Sequence, residues 1–129
     1  MFQDYSELHA DFYKKAVEIG SLSKRVSNYL SADLGVLKSN GDEDINIYFS
    51  GDIVRQSDSL APEIIKAQQE PFSEQKYQHA KTLKGLTRRL LINFRRLEKC
   101  NSDGREFVSI LQKELRKFNK LQNIWMLTL

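Results

Sequence analysis

Residues 74–100, EQKYQHAKTLKGLTRRLLINFRRLEKC, carry the pattern that decides the fold. At about 100° per residue, Leu83, Leu86, Leu90, Phe94 and Leu97 gather on one side of a helix. Lys81, Lys84, Arg88, Arg95 and Lys99 form a row on the opposite side, and Arg89 and Arg96 widen it. The row spans roughly 27 Å at 1.5 Å per residue. From Lys76 to Arg96 every charged side chain is basic. No i,i+4 ion pair therefore supports this helix from within, and its cations repel one another unless an anion compensates.

Downstream, Asn101-Ser102-Asp103-Gly104 reads as a tight connection, with Asp103 and Glu106 at capping-box spacing. The last helix places Phe107, Leu111, Phe118, Leu121 and Trp125 on one face and Arg105, Lys113, Arg116, Lys117 and Lys120 toward the other. A link of about three to four residues makes the last two helices antiparallel neighbours. Their basic faces then merge into one surface.

Upstream, Glu70-Pro71-Phe72-Ser73 is a turn with Ser73 as N-cap. Before it a helix runs through Ile53, Ser57, Leu60, Ile64 and Ala67, with Ser50 or Asp52 as its cap. Pro62 removes a backbone donor inside that pattern and is expected to kink the helix or divide it near Ser59. Ile45, Ile47 and Phe49 alternate with polar neighbours at a strand-like period, but one strand has no partner in this chain. An extended lead-in or an early helical turn is the better reading. From Phe2 to about Lys38, Tyr5, Leu8, Phe12, Ala16, Ile19, Val26, Leu30 and Leu37 recur at helical spacing. Ser39-Asn40-Gly41 stops that helix, because Asn and Gly accept the left-handed conformation of a helix end. A helix of about 36 residues would span roughly 54 Å. It either breaks or projects against another subunit.

Four amphipathic segments with one apolar seam each predict an all-α protein, an antiparallel four-helix bundle with a long first helix and a Pro62-kinked or split second helix. The 129 residues (15.0 kDa) make one domain, residues 1–129, long enough to bury a core without disulfides or metals. No apolar run approaches the ~18 residues of a membrane span. The opening MFQDYSELHADF carries acids where an export signal carries bases, and the single cysteine, Cys100, leaves no internal disulfide; a cytoplasmic location is expected.

The net charge of +3 conceals a division: residues 1–75 sum to −6 and residues 76–129 to +9. Either the acidic half covers the basic half, or the basic face meets an external polyanion.

Little in the sequence points to catalysis. Neither His9 nor His79 has an acid three residues before it, so the Glu-x-x-His pattern of di-iron bundles is missing. No arginine precedes His79 in its helix, as small helical RNases would require. No glycine-rich phosphate loop exists among the scattered glycines. His79 reads as a hydrogen-bonded core histidine; a hydrolase built on it and a carboxylate delivered by folding is the weakest option. No metal and no cofactor are expected.

The expectation is a non-enzymatic interaction subunit that binds a nucleic-acid phosphate backbone without reading sequence. Its candidate contacts are Lys81, Lys84, Arg88, Arg89, Arg95, Arg96, Lys99, Lys113, Arg116 and Lys120. Tyr77, at the edge of the row, is the one aromatic of that helix off the core face. The alternative is a protein-interaction or assembly module whose basic face meets an acidic protein surface, of a partner or of its own oligomer. No membrane is expected as partner, since the face opposite the charges is needed for the core. The apolar C-terminal stretch, with Trp125, Met126, Leu127 and Leu129, reads as an interface remnant and favours a homo-oligomer or a subunit of a larger complex.

Overall fold

The computed structural model describes residues 6–35, 41–100 and 102–129. Within them the chain is all-helical: α1 (Ser6–Leu34), α2 (Asn46–Asp58), α3 (Leu60–Gln69), α4 (Ser73–Leu97) and α5 (Arg105–Met126). None of these helices is long and apolar enough to cross a membrane. Helix α1 lies against α2, α3 and α5, and α4 lies against α2, α3 and α5. Three sets of contacts pair residues that run in opposite chain directions. Ser23 meets Ser57 and Ser31 meets Ser50; His79 meets Glu63 and Asn93 meets Gln56; His9 meets Thr128 and Tyr29 meets Phe107.

One core cluster joins all five helices. At its centre Phe12 stacks on Phe118, with ring centroids 4.8 Å apart, and tilts against Trp125 at 5.0 Å. All three are fully buried. Burying such side chains stabilises by about 1.5–3 kcal/mol each, and each aromatic pair adds about 0.5–1.5 kcal/mol. The α1–α2 seam is different in kind. Gly20, Ser23 and Ser31 face α2 along it, and the Ser23 and Ser57 hydroxyls share a buried hydrogen bond of 2.7 Å. A Cβ on Gly20 would stand 3.1 Å from an Asp58 carboxylate oxygen. Small side chains let the two helices approach closely there.

Helix α1 holds 29 residues, about 44 Å. The outer parts of the expected first helix, including Tyr5, Leu37 and the Ser39-Asn40 stop, lie outside the described residues. Gly41 takes the left-handed backbone at φ +84°. The following segment is helical from Asn46, earlier than a Ser50 or Asp52 cap would start it. The Asp44 carboxylate accepts from the Asn46 backbone N–H at 2.9 Å, so the turn is organised one step upstream. Ser50 is instead buried inside α2, donating to the Ile47 carbonyl, and Asp52 pairs with Arg55.

Helices α2 and α3 meet at Ser59, three residues before Pro62. The Ser59 hydroxyl donates to the Arg55 carbonyl at 2.9 Å, and its N–H reaches the Arg55 and Gln56 carbonyls. Proline has no N–H to return to residue 58, which frees that turn to change direction. Ser73 is the first residue of α4 rather than its cap; Phe72 holds the cap position, with no side-chain hydrogen bond.

The expected capping box before α5 is replaced by a different device. The Ser102 hydroxyl accepts from the Gly104 N–H at 3.0 Å, and Gly104 tucks beneath the end of α1. A Cβ there would lie 2.7 Å from Tyr29 Cδ1 and 2.9 Å from Leu30 Cδ2, so only glycine fits. The core face of α5 keeps Leu111, Phe118 and Trp125 as expected and departs from the expectation in its first turn. Val108 is buried while Phe107 is 45% exposed and meets Tyr29 edge-on at 5.5 Å.

Candidate nucleic-acid interface

Helix α4 buries Ala80, Leu83, Thr87, Leu90, Phe94 and Leu97, which turns its opposite side outward. On that side Lys81, Lys84, Arg88, Arg89, Arg95, Arg96 and Lys99 are all exposed. Helix α5 buries Val108, Leu111, Leu115, Phe118 and Trp125 and exposes Lys113, Arg116 and Lys120. Among the described residues, none of these ten cations forms an ion pair; the ion pairs present involve other residues.

The ion-paired acids among the described residues are engaged away from this face. Glu114 accepts from Lys15 at 2.6 Å and from Lys117 at 3.2 Å. Glu63 reaches Lys66 and the Nδ1 side of His79, and Glu70 reaches its Nε2 side at 3.3 Å. Asp52 holds Arg55, and Glu43 accepts from the Tyr48 hydroxyl at 2.8 Å. The Lys15–Glu114 pair is the best formed. Its hydrogen bond holds the Lys15 ammonium above the ordinary lysine range, against desolvation. The same bond holds the Glu114 carboxyl below the ordinary range, with Lys117 helping and burial opposing.

The two basic faces come together across the α4–α5 seam. Lys84, Thr87, Arg88 and Leu91 of α4 and Leu115, Arg116 and Asn119 of α5 line one groove of about 250 Å³. The Thr87 hydroxyl sits beneath it, 2.8 Å from the Leu83 carbonyl and 3.0 Å from Gln122 Oε1. Arg89 and Arg96 lie on the other flank of α4. The Arg96 guanidinium packs 4.8 Å from the centre of the Phe49 ring of α2 and donates to Asn93 Oδ1 at 3.4 Å. Tyr77 is 46% exposed, with the Lys81 ammonium 5.8 Å from its ring centre.

The C-terminal residues separate. Trp125 is fully buried in the core, Met126 and Leu129 are half-buried, and Leu127 is 88% exposed. Ile124, at 46% exposure, is the other outward apolar side chain of this end.

His79 is half-buried between two carboxylates rather than set in apolar surroundings. Sequence reasoning placed it correctly on the inner side of α4 but missed Glu63 and Glu70, which lie 16 and 9 residues away. Cys100 is buried, and burial together with the Asp44 charge pushes its thiol up, away from the reactive thiolate. Among the described residues no group of three or more His, Cys, Asp or Glu side chains is arranged to hold a metal ion.

No family model, curated protein or solved structure matches this chain. The reading of function rests on the surface itself.

Proposed function

We propose that the protein is a non-enzymatic interaction subunit, a single-domain antiparallel four-helix bundle with its second helix bent at Ser59, which docks on a nucleic-acid phosphate backbone. One observation carries this: the ten cations of the α4 and α5 faces are exposed and form no ion pair among the described residues, whose ion pairs all join other side chains. The intramolecular alternative, an acidic half laid over the basic stripe, has no ion pair in its favour among the described residues. Phosphates reward such a face because each one neutralised releases condensed counterions. A straight row of cations matches the repeating phosphates of a strand rather than any one base, so the binding proposed is sequence-independent.

The test is a salt series. Affinity for mixed-sequence DNA or RNA falls linearly in a log–log plot against salt, with a slope of about −0.9 per phosphate contacted on duplex DNA. Absence of any mobility shift at low salt with either polymer rejects the reading.

A second reading has its own support. Ile92, 43% exposed, sits within the cation row, and an apolar side chain there suits an acidic protein partner better than a phosphate backbone. Leu127 and Ile124 add an apolar end that suits self-association or assembly. That reading predicts a partner that survives nuclease treatment in a pull-down.

A further inference from the structure

We infer that the α4–α5 groove seats one base of a single-stranded nucleic acid, while Tyr77 stacks another base farther along the strand. This rests on the nucleic-acid reading above and names the form of the ligand. The groove combines two chemistries that a duplex backbone does not supply together. Its rim carries Lys84, Arg88 and Arg116 and no acid. Its floor is apolar, from Leu91 and the nearly buried Leu115. A duplex keeps its bases stacked inside and offers the protein phosphates and sugars, which have no affinity for an apolar floor. An unstacked base of a single strand has an apolar face for the leucines and a π-surface for the guanidinium planes. The phosphates on either side of that base fall to the rim.

Two further features fit a strand lying along α4. Asn119 at the groove uses its carbonyl oxygen toward Gln122, with Nε2 3.4 Å away, which leaves its amide N–H donors to face a base edge. Tyr77 lies on the same side of α4 as Lys84, two turns before it, roughly 10 Å along the axis. Its half-exposed ring, with Lys81 beside it, is the kind of aromatic–cation platform on which single strands stack. An acidic peptide would also satisfy the rim cations, but it gains nothing from an open aromatic ring in line with the groove.

Fluorescence anisotropy of the full chain at low salt decides it, with four probes: a short oligothymidylate, a duplex of equal length, an abasic phosphodiester strand and poly-glutamate. The single strand is expected to bind at least tenfold more tightly than the duplex or the abasic strand. Tyr77→Ala and Asn119→Leu, both at exposed positions, each weaken single-strand binding about tenfold and leave duplex binding unchanged. Circular dichroism of each variant confirms that the helices remain. Equal affinity for single, double and abasic strands overturns base seating but leaves backbone docking standing. Poly-glutamate competing as well as the single strand overturns it in favour of an acidic protein partner. Binding of none of the probes overturns both readings, and folded variants that bind the single strand undiminished overturn the groove and Tyr77 assignments.

Discussion

Helix α4 meets two different electrostatic surroundings along its length. In its first two turns Lys76 donates to the Ala67 and Gln68 carbonyls at the end of α3, and His79 sits between Glu63 and Glu70. From Lys81 onward its outward cations form no ion pair among the described residues. The same helix is thus satisfied where it faces a neighbour and bare where it faces outward. The Lys15–Glu114–Lys117 cluster on the α1–α5 seam belongs to the first kind. Pairing at seams holds the fold together, whereas the cations of the unpaired row repel one another and oppose folding. A feature that the fold does not need is where a ligand belongs.

The contrast breaks most visibly by reversing charge on the bare side. Lys84→Glu, Arg88→Glu and Arg95→Glu together should abolish nucleic-acid binding, by more than about a hundredfold at low salt. Urea unfolding should show no loss of stability, because no intramolecular contact is removed. A triple variant that still binds would show that the row is not the docking surface.

The matched corner should respond in the opposite sense. Glu63→Ala removes the partner of both Lys66 and His79 and is expected to cost about 1–2 kcal/mol in urea unfolding, without changing nucleic-acid affinity. A loss of affinity as large as that of the triple variant would erase the distinction between the two regions.

Glu114→Gln sharpens the comparison through pH. The parent carboxyl is depressed in the folded chain, so its contribution is fully present above the ordinary glutamate value of about 4.3 and is lost as pH falls through its lowered value. The variant should be about 1 kcal/mol less stable than the parent near pH 7, and the two should converge once pH has fallen through the lowered value of the parent carboxyl. On the alkaline side Lys15, held high by the same bond, keeps its share up to about pH 10 and loses it as pH rises through the raised value. A gap between parent and variant that persists unchanged in acid would refute the pairing.

The smallest effect is a gain. Arg88→Gln relieves repulsion with Lys84 one turn away and should stabilise by a few tenths of a kcal/mol at low salt, a gain that fades as salt is added. Destabilisation would mean that Arg88 has a partner in the folded chain.

Much of this was legible in the sequence where one helix determines the answer. The buried and basic sides of α4 follow from its own periodicity, since Leu83, Leu90, Phe94 and Leu97 fall one above another. Periodicity fails by a single residue on α5. Phe107 is the larger apolar side chain, yet Val108 points inward and Phe107 settles on Tyr29 at the edge of the seam. A shift of one residue is about 100° of rotation, and only the neighbouring helix decides between them. The alternation of Ile45, Ile47 and Phe49 has a strand's period, yet the early helical turn is what forms, because Asp44 starts a helix there and leaves Ile45 60% exposed. The groove and the Glu63–His79–Glu70 cluster were out of reach for a third reason. Each joins residues of different helices, and their register is set by packing rather than by spacing along the chain.

The position of Trp125 has a spectroscopic consequence. It is the one tryptophan of the chain, fully buried against Phe12 of α1 and absent from the lining of the α4–α5 groove. Its emission therefore reports whether α1 is docked on α5 and is silent toward the state of the basic face. A ligand seated in the groove should leave the emission wavelength where it was. A variant that has merely lost its shape will announce this with a red shift before any binding curve is drawn.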